Sequence, residues 1–396
     1  MMLISMSLRK VALLTIVFLL AVGVYRYSRP IPGVTAVASL AVPKANPAVD
    51  LPWPAYGQGA LAAQGYGVLQ THGQQKSVPM ASIAKVVTAL AVLKQKPLAI
   101  GEQGPTITIN SDDVAIYNNY YSQGGSVVKV EIGEQISEYQ ALQALLIPSA
   151  NNIADTLVHW AFGSNENYLS YANKMVADMN LGSTKVADAS GFSPQSVSSA
   201  EDLARLGLAA MDNPVLASVV GQQTALLPIA GTVNNVNWLL DSDGVVGIKT
   251  GNTAEAGGCF LFAAKRMVNG QSLTLVGALM QAPDLNTVIK DSRAIIVASD
   301  SGFESVKVAT KGQVVGSYKT PWSTSGDVIA SQDLSILAWR GSQLQVVAKL
   351  NKIKPPVLAG GVVGSVSVTS DQKTNIVPVT LKTNLPSPSW TWRIFR

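Results

Sequence analysis

A serine and a lysine three residues apart, Ser82 and Lys85, could perform nucleophilic chemistry. On a helix, positions i and i+3 lie on the same face, so the serine hydroxyl and the lysine amine can come within hydrogen-bonding distance. A serine is a weak nucleophile until a base removes its proton, and a lysine whose pKa is lowered by burial or a neighbouring cation can be that base. This spacing is common by chance, so on this pair alone a solvated lysine is the simpler interpretation.

A second polar pair, Ser149 and Asn151, follows Pro148, which ends the preceding apolar stretch. A hydroxyl and a carboxamide on a tight connection can relay a proton and bind a substrate amide. Serine and asparagine are also ordinary helix caps. By itself, this motif is therefore better explained as a cap.

A third group, Lys249, Thr250 and Gly251, lies in a segment with strand character. A glycine in an edge strand lets the backbone of a ligand approach closely. The lysine and threonine offer a cation and a hydroxyl to a substrate carboxylate. The alternative is a solvated lysine at a strand end. Each of the three motifs is weak alone, and their order and spacing together indicate one site.

Histidine and cysteine are scarce, and this narrows the chemistry. The chain has two histidines, His72 and His159, and one cysteine, Cys259. An internal disulfide and a cysteine metal cluster are excluded, and a histidine-rich zinc site is disfavoured. We expect no metal and no cofactor. The general-base role therefore passes to a residue other than histidine.

The elements that must position these motifs mix helices and strands. Hydrophobic periodicity predicts helices over 82–94, 137–146, 153–162, 168–179 and 200–211, and strands over 60–70, 258–264 and 273–280. Helices in the middle with strands at both ends favour an α/β (α+β) sandwich over alternating βαβ units. Residues 55–303 are the predicted catalytic domain. Residues 304–396 show only short strand-like segments and are predicted to form a small C-terminal all-β domain.

The N-terminal segment 1–29 is predicted to be a signal or a membrane anchor. An apolar run over 11–24 follows two basic residues, and the first plausible small-residue cleavage signal, Ala36-Val37-Ala38, comes well downstream. An uncleaved anchor is slightly favoured over a cleaved signal, and both imply export. Residues 30–54 contain six prolines and are predicted to be a linker. A net charge of +5 without a basic cluster gives no indication of nucleic-acid binding.

The ordered motifs resemble those of the low-molecular-mass penicillin-binding proteins of the D-alanyl-D-alanine carboxypeptidase family. The resemblance extends to three longer segments, 191–204, 237–240 and 247–258. It covers residues 55 to about 303, and more loosely the C-terminal β segment. It implies the serine β-lactamase/D,D-peptidase-like sandwich and a serine peptidase that removes the terminal D-alanine from peptidoglycan stem pentapeptides.

The resemblance also implies a role for each motif residue. Ser82 attacks the carbonyl between the two D-alanines, Lys85 deprotonates it, and Ser149 carries the proton to the leaving amine. The substrate-binding residues and backbone groups that it implies are Asn151, Lys249, Thr250, Gly251 and Asn252, with an oxyanion hole from the backbone N–H groups of Ser82 and Asn252. β-Lactams are expected to acylate Ser82.

This sequence departs from the family pattern at two places. Asn252 stands where histidine is frequent, and the backbone donor survives that change. The stretch 281–286 lacks the arginine expected near the substrate carboxylate. Arg266 and Arg293 are possible substitutes, and the sequence does not choose between them.

Three alternatives remain at this point. A class A β-lactamase needs a glutamate for deacylation, in a loop that would correspond to residues 181–191 here. These residues contain no glutamate, so this class is disfavoured. A D,D-endopeptidase that cuts cross-links uses the same residues, so the sequence does not separate it from a carboxypeptidase. A non-catalytic β-lactam-sensing or peptidoglycan-binding protein is disfavoured because no motif residue is missing. The expected partners are stem peptides, β-lactams and, through the N-terminus, the membrane, with the enzyme at the extracytoplasmic face of a bacterial cell membrane.

Overall fold

A computed structural model describes residues 8–43 and 46–396 of the chain. Residues 1–7 of the predicted N-terminal segment and residues 44–45 of the predicted linker lie outside the described residues. The chain divides into two compact units. The central unit comprises residues 47–304 with 339–341. The β unit comprises the described residues before 47 together with 305–338 and 342–396.

The N-terminal part of the chain is structured beyond its apolar helix. Helix α1 spans Leu8–Ser28, and strand β1 spans Ala36–Ala38. Strand β1 pairs antiparallel with strand β14 (Val314–Lys319) at the edge of the β unit's sheet. Part of the predicted linker is therefore a sheet strand. The physical reason is local: residues 33–42 contain no proline, so their backbone N–H groups are available to a ladder.

The central unit contains strands β2 to β12 and helices α2 to α9, in agreement with a mixed α+β fold. Its strands are β2 (Gln58–Ala63), β3 (Gly67–His72), β4 (Val78–Pro79), β5 (Thr106–Thr108), β6 (Gln135–Ser137), β7 (Val197–Ser198), β8 (Thr224–Leu227), β9 (Gly231–Asn234), β10 (Val245–Thr253), β11 (Gly257–Val268) and β12 (Gln271–Ala282). Its helices are α2 (Ala84–Gln95), α3 (Ser111–Ser122), α4 (Glu138–Leu146), α5 (Asn151–Phe162), α6 (Asn165–Asp178), α7 (Ala200–Asp212), α8 (Pro214–Val220) and α9 (Leu285–Ala298).

The main sheet of the central unit is antiparallel and has the strand order β10-β11-β12-β2-β3. Side chains alternate between its two faces. One set, including Leu261 and Val276, joins the core formed with α2 and α4 to α7. The alternate set, including Phe260 and Leu275, is equally buried. Helix α7 packs on β12 and β2, and α9 packs on β11 and β12, so both faces are covered.

Helix α2 runs through the core. Every residue from Ala84 to Leu93 is buried, including Lys85. The helix begins at Ala84 and not at the predicted residue 82, because residues Ala81–Ile83 form a 3-10 turn before it. This turn places Ser82 at the end of the helix facing the sheet, since strand β10 contacts the turn.

Helices α3, α8 and α9 were not expected from periodicity. Helix α3 is rich in asparagine and tyrosine, so it shows little apolar repeat. Its start does carry a signal, a capping box formed by Asn110 and Asp113. Helices α8 and α9 likewise begin after the capping residues Asn213 and Asp284.

The C-terminal all-β prediction is confirmed. The strands are β13 (Phe303–Ala309), β14, β15 (Ser325–Ala330), β16 (Leu334–Trp339), β17 (Leu344–Leu350), β18 (Val362–Ser370) and β19 (Lys373–Leu381), followed by a short helix α10 (Trp390–Phe395). Six strands form one sheet in the order β1-β14-β15-β19-β18-β17, and β13 pairs with β16. The core of the β unit consists almost entirely of valine, leucine, isoleucine and alanine side chains.

Candidate active site

A cleft of about 550 Å³ opens in the central unit, and Ser82 lines it. The rest of its wall comes from Asn151 and from residues 124–126, 191–194 and 252–255. These segments come from the loop after α3, from the start of α5, from the loop before β7, and from the end of β10 with the turn after it. The cleft therefore lies where the three sequence motifs meet.

Lys85 is fully buried and makes three polar contacts beside the cleft. Its Nζ lies 2.9 Å from Ser82 Oγ, 2.7 Å from Asn151 Oδ1 and 2.8 Å from the Ser190 carbonyl oxygen. A neutral amine has two N–H donors and one lone pair. The two fixed acceptors can take the two donors, which leaves the lone pair for the Ser82 hydroxyl. The arrangement suits proton abstraction from Ser82.

The electrostatics around Lys85 favour this neutral form. Burial, and secondarily the positive charge of Lys249, lower the pKa of Lys85 well below its usual range. The carboxylates of Asp188 and Asp155 act in the opposite direction. A lysine whose neutral form is favoured in this way can accept the serine proton as a general base.

Two glycines allow other segments to approach the turn that carries Ser82. A Cβ on Gly251 would lie 3.1 Å from the Ser82 backbone nitrogen and 3.0 Å from the Ala81 Cβ. A Cβ on Gly191, which has a φ of +72°, would lie 1.9 Å from the Ala81 carbonyl oxygen. Side chains at these positions would push β10 and the 191 loop away from Ser82.

The second motif is only partly assembled around Lys85. Asn151 begins helix α5, and its Oδ1 accepts from Lys85. Ser149 Oγ is buried and forms no hydrogen bond with any described residue. Ser149 also has a left-handed backbone, with φ of +67°. A non-glycine residue held in this conformation is often part of a functional site.

The third motif puts a second buried lysine in β10. Lys249 is 2% exposed, and its Nζ donates to the Thr250 carbonyl oxygen at 3.0 Å. Burial lowers the pKa of Lys249 to about 7. Thr250 and Gly251 are buried with it, whereas Asn252 is exposed and lines the cleft.

Neither candidate substitute for the carboxylate-binding arginine reaches the cleft. Arg266 contacts the Asp243 carbonyl oxygen and pairs with Asp300. Arg293 pairs with the Asp243 carboxylate. No arginine lines the cleft within the described ranges 8–43 and 46–396. Lys249 of the third motif therefore remains the candidate cation for a substrate carboxylate, although it does not itself line the cleft.

The sequence analysis did not identify Asp188, which fixes the turn that contacts Lys85. Asp188 accepts from the Ser190 hydroxyl at 2.8 Å, from the Phe192 backbone N–H at 2.8 Å and from the Ser196 hydroxyl at 2.5 Å. It thereby fixes the turn whose Ser190 carbonyl accepts from Lys85. The signal available in the sequence was an aspartate two residues before a serine, an ordinary turn pattern.

Both units resemble known protein families. Residues 62–283, more than half of the chain, match the family model described as D-alanyl-D-alanine carboxypeptidase. Residues 303–386 match the model described as penicillin-binding protein 5, C-terminal domain.

Individual relatives agree with these matches. The D-alanyl-D-alanine carboxypeptidase DacF of Bacillus subtilis is 23% identical over 318 residues, covering 77% of this chain and 78% of the relative. A D-alanyl-D-alanine endopeptidase of Pseudomonas aeruginosa is 28% identical over 255 residues, covering 61% of this chain and 76% of the relative. Penicillin-binding protein 5 from Haemophilus influenzae has the same fold, with a TM-score of 0.60, 20% identity, and coverage of 88% of this chain and 100% of that structure.

Proposed function

The chain belongs to the D-alanyl-D-alanine carboxypeptidase family of serine peptidases, and on that premise we propose that Ser82 is its acylated nucleophile. The enzyme removes the terminal D-alanine from peptidoglycan stem pentapeptides. β-Lactams, which resemble the terminal dipeptide, acylate the same serine.

In the proposed first step, the Ser82 oxygen attacks the carbonyl carbon between the two D-alanines while its proton passes to the Lys85 amine. The tetrahedral intermediate collapses as Ser149 gives its proton to the leaving amine and takes up the proton held by Lys85, and D-alanine departs. The resulting ester on Ser82 is then hydrolysed by water. The unpartnered hydroxyl of Ser149 is consistent with a group that finds its partner in the substrate.

We assign substrate binding to the third motif and to Asn151. The Lys249 ammonium and the Thr250 hydroxyl receive the terminal carboxylate, and Asn151 binds the peptide amide. The backbone N–H groups of Ser82 and Asn252 stabilise the oxyanion. The close approach of β10 to the Ser82 turn at Gly251 supports this assignment.

One observation carries the proposal: a fully buried lysine amine lies 2.9 Å from the hydroxyl of a cleft-lining serine. Burying a lysine amine costs stability, and a lysine with a strongly lowered pKa in a cleft is typical of a functional site. The same contact would be unnecessary in a protein that only binds peptidoglycan.

We also propose residues 55–303 as the catalytic domain and 304–396 as a β domain that acts as a spacer, with the linker of 30–54 partly built into it. Helix α1 is long and apolar enough to cross a membrane and none of it is buried. It serves as an uncleaved anchor that holds the enzyme on the extracytoplasmic face. The pairing of Ala36–Ala38 with β14 supports retention of this segment.

The test uses the full chain in detergent with labelled penicillin and with a muramyl pentapeptide. We expect covalent label on the peptide containing Ser82, and release of free D-alanine. The Ser82→Ala variant should lose both. A matched control, Ser193→Ala, makes the same chemical change on another cleft-lining serine and should keep both.

Label at a different residue, or equal D-alanine release by the Ser82→Ala variant, would refute the assignment. A D,D-endopeptidase activity is the second candidate, because the matched relatives include an endopeptidase. Incubation with cross-linked muropeptide dimers separates the two activities. Cleavage of dimers faster than of pentapeptide would make the enzyme an endopeptidase.

A further inference from the structure

The wall of the cleft carries one charged side chain, and its charge is negative. Among the described residues that line the cleft, Glu255 is the only ionisable one, beside serine, asparagine, threonine, phenylalanine, proline, alanine and glycine. No described residue forms an ion pair with the Glu255 carboxylate. An unpaired carboxylate in a substrate cleft attracts a cationic group of the substrate.

Glu255 lies in the short turn that joins β10 to β11. The Ala256 backbone N–H donates to the Thr253 hydroxyl at 3.1 Å, and the Ala256 side chain is buried beneath the turn. Glu255 itself is exposed. The turn is therefore held in place while its carboxylate remains available to a ligand.

The direction of the bound peptide follows from the sites proposed for its reacting end. The terminal carboxylate is assigned to Thr250, and the carbonyl oxygen between the two D-alanines to the Asn252 backbone N–H. Because β10 is an edge strand of the main sheet, an extended peptide can lie along it. Two residues of an extended strand span about 7 Å, so the third residue of the stem peptide reaches the turn that carries Glu255.

The cleft also offers an apolar surface to a long side chain. Phe192 lines it and is 36% exposed, and its ring packs edge-on against Tyr120 with the ring centres 5.5 Å apart. Pro194 lines the cleft from the same loop. Long cationic side chains place their methylene groups on such surfaces and keep the charged end in water. A lysine-like side chain therefore suits both the apolar surface and Glu255.

The charged end of that side chain is restricted further. The side chain of meso-diaminopimelate ends in an ammonium and a carboxylate together, and its carboxylate would lie beside Glu255. In the part of the chain that the structure describes, no lysine or arginine lines the cleft to compensate it. Like charges that face each other in this way weaken binding.

We propose that Glu255 selects stem peptides whose third residue ends in a primary ammonium without a free carboxylate. Lysine meets this requirement, and meso-diaminopimelate does not. The Glu255 carboxylate pairs with the ammonium while the methylene groups pack on Phe192. This inference rests on the proposed function, since the direction of the peptide is taken from the sites proposed there for the carboxylate and the oxyanion.

The experiment compares pentapeptides that differ only at the third residue, with the full chain in detergent and D-alanine release as the readout. Lysine, norleucine and meso-diaminopimelate are placed there in turn. We expect the lysine peptide to have a KM about fivefold below that of the norleucine peptide, the scale of one exposed ion pair. The diaminopimelate peptide should show no such advantage. The contact is the same in the ground state and the transition state, so the difference should lie in KM rather than in kcat.

The carboxylate is tested by Glu255→Gln, which should raise the KM of the lysine peptide about fivefold and abolish the preference for lysine over norleucine. Glu255→Lys should reverse the selection, so that a peptide with glutamate at the third residue becomes the better substrate. Glu102→Gln makes the same change at an exposed glutamate outside the cleft and should keep the native preference. If Glu255→Gln instead lowered kcat equally for every peptide, the turn would have a structural role and the proposal would be overturned.

Labelled penicillin, which has no third residue, separates this inference from the proposed function. If Ser82 of the native chain is labelled but the lysine and norleucine peptides have equal KM values, the selection is wrong and the enzymatic assignment stands. A lower KM for the diaminopimelate peptide than for the lysine peptide would likewise overturn the selection. If neither labelling nor D-alanine release occurs, the proposed function fails and the inference fails with it.

Discussion

The central unit and the β unit differ in what they bury. Among the buried polar side chains of the described residues, only Thr320 and Ser370 belong to the β unit. Every buried aspartate, glutamate and lysine side chain in those residues belongs to the central unit: Lys85, Asp113, Glu134, Glu138, Asp202 and Lys249. The β unit instead has a core of aliphatic side chains.

The unit that contains the candidate active site is therefore the one whose buried polar groups reduce its stability. Removing a charge from water is costly unless the group is paired or neutral. Lys85 and Lys249 are each buried without a carboxylate partner in the contacts that fix their amines. The central unit therefore bears a cost that the β unit avoids. Substitutions that remove polar groups should have opposite consequences for activity and stability in the two units.

The largest expected effect comes from Lys85→Met, which keeps the length of the side chain and removes the proposed general base. Acylation of Ser82 by penicillin should slow by about 10³-fold, within the range for loss of a general base. Stability should hold or rise, because a buried amine is replaced by an apolar group. Stopped-flow acylation and thermal unfolding measure the two effects.

The control for this change is Lys94→Met, on the exposed face of the same helix. It should leave the acylation rate within twofold. If Lys85→Met kept more than a tenth of the rate, another residue would be the base.

The next effect is on substrate binding through Lys249. Lys249→Met should lower kcat/KM for pentapeptide by about 10²-fold, since a charge-assisted contact of about 1.5–3 kcal/mol is lost from the carboxylate. In the native enzyme, kcat/KM should rise with pH as Lys85 loses its proton and fall above pH 7, where Lys249 becomes neutral. Lys249→Arg keeps its charge, so its falling limb should move to higher pH. An unmoved limb in that variant would show that Lys249 does not titrate there.

The same lysine predicts how stability depends on pH. Its pKa is about 7 in the folded protein and 10.5 in its unperturbed state. Between these values the unfolded chain binds more protons, so the free energy of unfolding should increase with pH, by up to about 1.4 kcal/mol per pH unit. This gain in stability is complete above pH 10.5, decreases as the pH falls from 10.5 to 7, and is absent below pH 7. Lys249→Met should flatten this part of a denaturant-measured pH profile, and an unchanged slope would contradict the buried-lysine account.

How much of this could be read from the sequence depends on the range of the interaction. The pair Ser82 and Lys85 was predictable because one helical turn brings them together. The Ser190 carbonyl was not, since a backbone acceptor has no side-chain signature. Strand β1 was hidden for another reason: its partner β14 lies some 280 residues away, and pairing at that distance is set by the folded sheet.

Composition also misled the prediction in places. Six prolines suggested a linker, yet a ten-residue window between them supplied a strand. Low apolar periodicity hid α3, although its capping box was present in the sequence. The three motifs could be recognised because the functional residues of each lie no more than three positions apart in the sequence. What positions them is long-range packing, as at Gly251 and Gly191, where only the fold shows which backbone comes close.

A smaller effect is expected at Asp188, a positioning residue that acts through Ser190 on Lys85. Asp188→Asn should lower kcat about tenfold. Because the Asp188 charge raises the pKa of Lys85, its removal should lower that pKa and move the acidic limb of the pH–rate profile to lower pH. A purely structural role would reduce the rate without moving the limb. Asp178→Asn, at an exposed i,i+4 ion pair with Lys174, is the matched control and should change neither.

The smallest effect on activity, with a clear effect on stability, is expected in the β unit. Tyr318 is fully buried, and its hydroxyl donates to the Asn351 carbonyl oxygen at 2.6 Å. Tyr318→Phe leaves that buried acceptor without its donor, so the free energy of unfolding of the β unit should fall by about 1–2 kcal/mol. Hydrogen exchange of the β14 to β19 amides should report this loss, while penicillin acylation stays within twofold. Val347→Ala, at a 56% exposed position on β17, should change neither. A fall in acylation with Tyr318→Phe would mean that the apolar unit supports the chemistry of the central one, and the contrast between the two would no longer hold.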